Sequence, residues 1–334
     1  MDIRNTRSIK SLVPQRLSQA RDGQKIVLIY AGLSLGLTAL VTILSYVLNQ
    51  QISQTGGLGQ IGTRSFLSPI RIVVLIAQWV ALLCLDLGYQ SAALRIARGQ
   101  YASVNSLRLG FDRFWPLIRC TLVQCVIYIG IFLLSLYAAV TVYLITPLSD
   151  SAMEILTPLV TEAASAGESV LVLDDEVYAQ LEQAMLPALI ICFGLFCAIS
   201  LPFYYRYRMA NYVLIDCPAL GAVAVLRESR KMMKGNRIPL FRLDLSLWWY
   251  YAAGLLAMAV GYGDQILPAL GISLPFSDDV AYFLFYGLYL AVMFLIYYAF
   301  GNRIQVTYAL AYDSVKPPEP NGNGGVVLGN IFQM

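Results

Sequence analysis

The sequence predicts an all-α, polytopic membrane protein with six transmembrane helices and both termini in the cytoplasm. Three observations predict it. First, 58% of the 334 residues are hydrophobic and only 13% are charged, whereas soluble domains run at roughly 45–50% and about 25%. Second, six apolar stretches reach the roughly 20 residues that a helix needs to cross the hydrocarbon core. Third, Lys and Arg gather in alternate connections between those stretches.

The spans are expected at Ile26–Leu48, Ile72–Leu94, Leu117–Leu144, Met185–Tyr205, Leu240–Val260 and Val280–Phe300. Each is read as a helix, because backbone groups in lipid must be satisfied within their own segment. Arg4, Arg7, Lys10, Arg16, Arg21 and Lys25 precede the first span. Arg95, Arg98, Arg108 and Arg113 follow the second. Arg206, Arg208, Arg227, Arg230, Lys231, Lys234 and Arg237 follow the fourth, and Arg303 and Lys316 follow the sixth. The other connections hold only Arg64 and, at its edge, Arg71. The first 25 residues are too polar, and the next apolar run too long, for a cleavable leader, so the first span reads as a retained anchor.

Two of the outer connections are acidic. Asp150, Glu154, Glu162, Glu168, Asp174, Asp175, Glu176 and Glu182 lie in one, and Asp264, Asp278 and Asp279 in the other. They are either solvated loops or a vestibule that attracts cations. Helical spacing over Asp150–Ala164 has Thr157-Pro158 as a break. Asp174-Asp175 and Ser277-Asp278-Asp279 are placed to cap the helices that follow. The carboxylates at Asp174–Glu176 lack the alternating pattern of a calcium loop.

The inner connections are long enough for helices of their own. Asp216 before Pro218 reads as a helix start and Gly235 as its end, giving an amphipathic helix over Pro218–Lys234 that lies along the membrane surface. Its polar side carries Arg227, Arg230, Lys231 and Lys234, the candidate residues for binding anionic lipid or a cytoplasmic protein partner. Val104–Phe114 looks like a shorter counterpart, and Ile9–Ala20 like a third that Pro14 weakens. Pro116-Leu117-Ile118-Arg119 and Pro239-Leu240-Phe241-Arg242 occupy matching places, which suggests three parallel hairpin units. Residues 1–312 read as a single six-helix domain. Residues 313–334 read as a flexible tail, rich in Pro, Gly and Asn from Lys316 onward.

Ionisable groups at membrane depth raise a functional question. Asp86, Arg119, Arg242 and Asp244 are expected to meet as a cluster near the inner rim, serving as a register-fixing ion clasp or as a site for a coupling ion or substrate. Arg snorkelling to lipid phosphates is the other reading of the arginines. Gly32 and Gly36, like Gly194 and Ala198, have the spacing of close helix packing.

The chain has no histidine, so Ser-His and Cys-His catalysis is excluded, and Asp86 with Asp244 lacks a supporting protease motif. Six cysteines lie in or near spans or on the inner side, without C-x-x-C pairs, so neither a disulfide nor a metal site is expected. No phosphate-binding G-x-x-x-x-G-K-[ST] occurs. No catalytic residue, cofactor or metal is expected, and the aromatic residues near span ends fit an interfacial belt without any nucleic-acid surface.

The stretch Tyr207–Tyr251 resembles a bacterial and archaeal integral-membrane family known as domain of unknown function 975. Tyr207-Arg208-Met209-Ala210, Asp216 with Pro218, Ser229, Met232-Met233-Lys234-Gly235-Asn236, Leu240-Phe241 and Leu243-Asp244-Leu245-Ser246 carry the likeness. Gly110-Phe111 and Phe114 add to it. The Trp expected soon after Leu-Asp-Leu-Ser is displaced to Trp248-Trp249. The resemblance implies a multi-pass protein of the bacterial or archaeal cell membrane and no reaction. Two functions remain open: a transporter or permease-like component, or a non-transporting scaffold, assembly or immunity and stress protein that acts through a partner or a second copy of itself.

Overall fold

In the computed structural model, which describes residues 3, 5–54, 59–166 and 175–317, every regular element is helical and no strand occurs among the described residues. They fall into two units. One draws on Met1–Arg119 and Tyr207–Met334, the other is Cys120–Arg206.

The first unit begins with α1, Thr6–Gln19, capped by Asn5, whose side-chain oxygen accepts from the Ser8 amide at 3.1 Å. The helix runs through Pro14 and buries Ile9 and Val13. Helices α2, Gly23–Gln54, and α3, Gly59–Ala97, are 32 and 39 residues long. At 1.5 Å per residue both exceed a hydrocarbon core of about 30 Å. α3 closes in a Schellman turn, with the Gln100 amide on the Arg95 carbonyl at 2.9 Å and the Gly99 amide on Ile96 at 3.0 Å. Gly99, with φ of 72°, supplies the left-handed residue this turn needs and leaves Arg98 at the lip of the helix.

The expected helix over Val104–Phe114 is instead a 3-10 turn, Val104–Arg108, followed by the single turn α4, Leu109–Asp112. Two glycines make this elbow lie flat on α3. A Cβ on Gly88 would overlap the Leu107 carbonyl, and one on Gly110 would overlap the Cys84 carbonyl. By contrast, a Cβ on Gly32, Gly36 or Gly194 would meet nothing within 4 Å. The close approach therefore uses glycines other than the spaced pairs that the sequence singles out.

Helix α5, Phe114–Ile145, starts in the first unit and continues into the second, where α6, Asp150–Ala166, and α7, Asp175–Tyr207, complete the set. Pro158 does not break α6, contrary to expectation. Within the second unit Tyr143, Ala152 and Ala188 pack together, and the Tyr143 hydroxyl donates to the Ala184 carbonyl at 2.9 Å. Phe132 meets Phe196 edge-on at 6.0 Å. Asp174 and the side chains of Glu162, Glu168, Asp175, Glu176 and Glu182 lie outside the described residues, so the expected cap at Asp174-Asp175 does too.

The first unit resumes with α8, Ala210–Asp216, and α9, Ala222–Met232. Asp216 thus ends one helix rather than capping the next, and the expected Pro218–Lys234 helix shortens to Ala222–Met232, starting after Gly221. Gly235, with φ of 86°, turns the chain two residues past its last cap.

The expected span Leu240–Val260 is two helices, α10, Arg237–Leu245, and α11, Trp248–Gly261, bent by 57°. The backbone groups at the break find partners near and far in the sequence. The Leu247 amide closes an i−3 turn on Asp244 at 2.9 Å, and the Ser246 carbonyl accepts from Lys10 Nζ at 2.9 Å. After α12, Gly263–Ala269, comes α13, Asp278–Ile296, with Ser277 at the N-cap position and Asp278 and Asp279 in its first turn. A π-helical turn, Tyr297–Gly301, then leads into α14, Asn302–Val315. The expected span Val280–Phe300 therefore extends without a gap to Val315, and the expected domain boundary at 312 falls inside α14.

Among the described residues five helices are long and apolar enough to cross a membrane, six if α10 and α11 form one bent span. Much of their length exposes Leu, Ile, Val and Phe. In the first unit the densest core lies where the last third of α3 packs against α14, α8 and α1. The chain is a multi-pass membrane protein.

Candidate functional site

Helix α2 carries hydroxyls four residues apart: Tyr30, Ser34, Thr38, Thr42 and Tyr46. Four-residue spacing sets each beside the next, as a stripe that drifts about 40° around the helix at every step. α13 and the π-turn answer with Tyr282, Tyr286, Tyr289 and Tyr297, which share a face. Thr42 and Tyr286 hydrogen-bond at 2.9 Å. Ser34 and Thr38 donate back to their own helix, to Ala31 and Ser34 carbonyls at 3.2 and 2.8 Å, so their oxygens keep lone pairs.

At one end this seam opens on a cavity of about 560 Å³, lined by Thr42, Ser45, Tyr46, Arg71, Gln78, Asp264, Asp278, Asp279 and Tyr282. A second cavity of about 280 Å³ shares Thr42, Asp264 and Tyr282 and reaches Thr38, Tyr286 and Tyr289. The three acids of one expected outer connection therefore converge on one cavity, together with Arg71.

At the other end stands Asp86, eight residues beyond Gln78 on α3, or about 12 Å along the helix. The Tyr30 hydroxyl donates to its carboxylate. Tyr30 stacks on Tyr89 at 4.3 Å and meets Tyr297 edge-on at 5.9 Å. Tyr89 donates to Asn302 Oδ1 at 3.1 Å, and Asn302 Nδ2 donates to the Gly23 carbonyl at 2.7 Å. The π-turn abuts this group, with Gly301 against Tyr89 and Val27. π-turns inside α-helices recur at functional sites. Among the described residues no Lys or Arg forms an ion pair with Asp86.

Asp244 is buried and has a different set of partners. Tyr308 donates to it at 2.6 Å, and the Tyr308 and Tyr251 hydroxyls are 2.5 Å apart. The Arg208 guanidinium lies 4.5 Å from the centre of the Tyr308 ring and interacts electrostatically with Asp244. The expected cluster of Asp86, Arg119, Arg242 and Asp244 is thus not brought together. Both acids are held by tyrosines, whereas Arg119 and Arg242 are exposed and form no ion pair among the described residues. Arg208, which reads in the sequence as one more loop charge, is the arginine beside Asp244. Its place in Tyr207-Arg208-Met209-Ala210 is the only signal that marks it.

A second polar hub lies at the ends of α3, α8 and α14. Arg98 donates to both Asp216 oxygens at 2.8 and 2.7 Å and to Asp313 at 2.7 Å. Lys316 and Tyr312 add donors to Asp216 at 3.1 and 3.0 Å. Burial alone would lower the Arg98 pKa, but the two carboxylates outweigh it and leave the guanidinium above its ordinary value. Arg113 donates to the Leu214 and Ile215 carbonyls at 2.9 and 2.7 Å, a favourable place for a cation at the end of α8. On α9 and just past it, Arg227, Arg230, Lys231 and Lys234 are all exposed, with Glu228 pairing Lys231 at 2.6 Å. No group of three or more metal-ligating side chains occurs among the described residues.

The family model described as "Protein of unknown function (DUF975)" matches residues 1–317. The chain belongs to that family. The likeness carried by Tyr207–Tyr251 thus extends over nearly all the described helices, including α2 and α3 with Tyr30 and Asp86. No curated protein and no solved structure matches the chain.

Proposed function

We propose that this chain is a permease-like transport component of a bacterial or archaeal cell membrane, in which Asp86 is a cation-responsive carboxylate reached along the seam between α2 and α13. The observation that carries this reading is Asp86 itself: an acid at span depth, served by a tyrosine hydroxyl and, among the described residues, by no cationic side chain. A carboxylate in a low-dielectric setting is costly unless a proton or another cation joins it. The hydroxyl faces of α2 and α13 offer oxygen ligands all the way to the acidic cavity, which would draw cations in. The reading is not an enzymatic one and assigns no cofactor.

The distribution of Lys and Arg supports an orientation with both termini inside, so that the cavity of Asp264, Asp278 and Asp279 faces outward. Labelling of single cysteines from each side tests this: Lys231→Cys is expected to react only from inside and Glu154→Cys only from outside.

The test of function is flux in proteoliposomes under an imposed proton or sodium gradient. Wild-type chain is expected to dissipate the gradient, alone or with a co-purifying subunit. Asp86→Asn, which keeps an acceptor for Tyr30, is expected to fold and to lose that flux. Equal flux with Asp86→Asn rejects the proposal.

The exposed basic face of α9 favours a second reading, a scaffold that binds a cytoplasmic partner or anionic lipid. Loss of partner capture on reversing Arg227, Arg230 and Lys231, with no flux from wild type under any gradient, would select it.

A further inference from the structure

A cavity of about 210 Å³ lies between α1, the break from α10 to α11, and α14, well away from Asp86 along the chain. Its cations are Lys10 and Arg303. Its apolar walls are Val13, Leu247, Trp249 and Ile304. Among the described residues no carboxylate lines it. Lys10 is pinned by its bond to the Ser246 carbonyl at 2.9 Å, and Trp249 is braced edge-on by Phe300 at 4.7 Å. Arg303 is exposed and forms no ion pair among the described residues. We propose that this cavity binds the phosphodiester headgroup of an anionic phospholipid.

Three features select that ligand. Two cations converge with no acid beside them among the described residues, which favours an anionic occupant. The walls are apolar and aromatic, as suits a ligand whose glycerol and acyl chains continue away from the phosphate. The volume is below the roughly 300–1,000 Å³ of pockets that enclose a whole drug-sized molecule, so only a headgroup fits and the remainder must lie outside. Trp248 and Leu245 beside the break are 65% and 60% exposed and give acyl chains an apolar surface to follow. The site stands apart from the transport reading. It equally suits a scaffold, because it anchors the break between α10 and α11 to one leaflet.

Native mass spectrometry of the full chain in detergent, titrated with phosphatidylglycerol or with phosphatidylcholine, tests the proposal. Wild type is expected to retain phosphatidylglycerol in preference and in a 1:1 complex. Arg303→Gln, which removes an exposed side chain, is expected to weaken that retention about fivefold, the worth of one cation at an anionic lipid surface. Lys10→Gln with Arg303→Gln is expected to abolish the preference. Arg227→Gln with Arg230→Gln serves as the control and is expected to leave the 1:1 complex intact. Unchanged preference in the Lys10/Arg303 variant overturns the proposal, as does loss in the control alone. Displacement of the lipid by millimolar inorganic phosphate would overturn it too, by making the site one for free phosphate.

Discussion

Arg98 grips Asp216 through two parallel hydrogen bonds, of 2.8 and 2.7 Å, across 118 positions of sequence. The same guanidinium reaches Asp313 on α14, so one side chain ties the ends of three helices. The Asp216 side chain is only 5% exposed. Arg98→Ala would strand it with Lys316 and Tyr312 as its remaining donors. The expected cost is about 3 kcal/mol, the low end for breaking a buried pair, read as a lower midpoint in denaturant unfolding of the detergent-solubilised chain. Arg98→Lys should recover only part of it, because an ammonium cannot reproduce the two-pronged fork.

The elbow on α3 gives a second expectation. Gly110→Ala drives a methyl into the Cys84 backbone carbonyl and is expected to cost about 1–3 kcal/mol. Gly130→Ala on α5 meets nothing within 4 Å and should stabilise its helix by roughly 0.5–1 kcal/mol. Thermal unfolding of the two variants side by side should move the melting temperature in opposite directions. Equal shifts would mean that the close contact at Gly110 is absent.

Asp244 depends on Tyr308. Tyr308→Phe deletes the hydroxyl that donates at 2.6 Å and is expected to destabilise the chain by about 1–3 kcal/mol, as for a buried charged acceptor short of a partner. In an Asp244→Leu background the same change should cost clearly less. A double-mutant cycle measures the difference, and zero coupling would refute the contact.

Asp22, just before α2, accepts from the Tyr101 hydroxyl at 2.7 Å and pairs with Lys25 at 3.1 Å. The Tyr101 bond first, and Lys25 second, hold its carboxyl below the usual range. Because the folded state is then the more acidic one, the contribution to stability is present above about pH 4. It is lost as the pH falls through the folded value. Tyr101→Phe should move the Asp22 titration upward, seen by carbon NMR of labelled aspartate carboxyls.

The apolar lengths and the charges at span depth were legible in the sequence, because hydropathy and the cost of a buried ion are local properties. Asp86 and Asp244 stood out for that reason. Their partners did not. Tyr30 and Tyr308 carry no charge, and nothing local distinguishes them from other tyrosines in apolar helices. Asp216 was misread for the opposite reason: Asp-Cys-Pro is a strong local start signal, and a distant arginine overrode it. The break at Ser246-Leu247 was hidden because both pieces are apolar, and hydropathy does not register direction. Which glycines permit close approach depends on what faces them, so Gly32 and Gly36 were singled out while Gly88 and Gly110 did the packing.

The wide turn at Tyr297–Gly301 has a consequence for everything downstream of it. Such a turn holds one residue more than an ordinary helix would place there. Deleting one residue from it would restore regular winding and leave α14 nearly in phase, whereas deleting one residue just after it, from the first turn of α14, would rotate the rest of that helix by about 100° and draw it back by about 1.5 Å. Tyr308, Tyr312 and Asp313 would then swing together away from Asp244, Asp216 and Arg98. The wide turn absorbs a change of length that the helix after it does not.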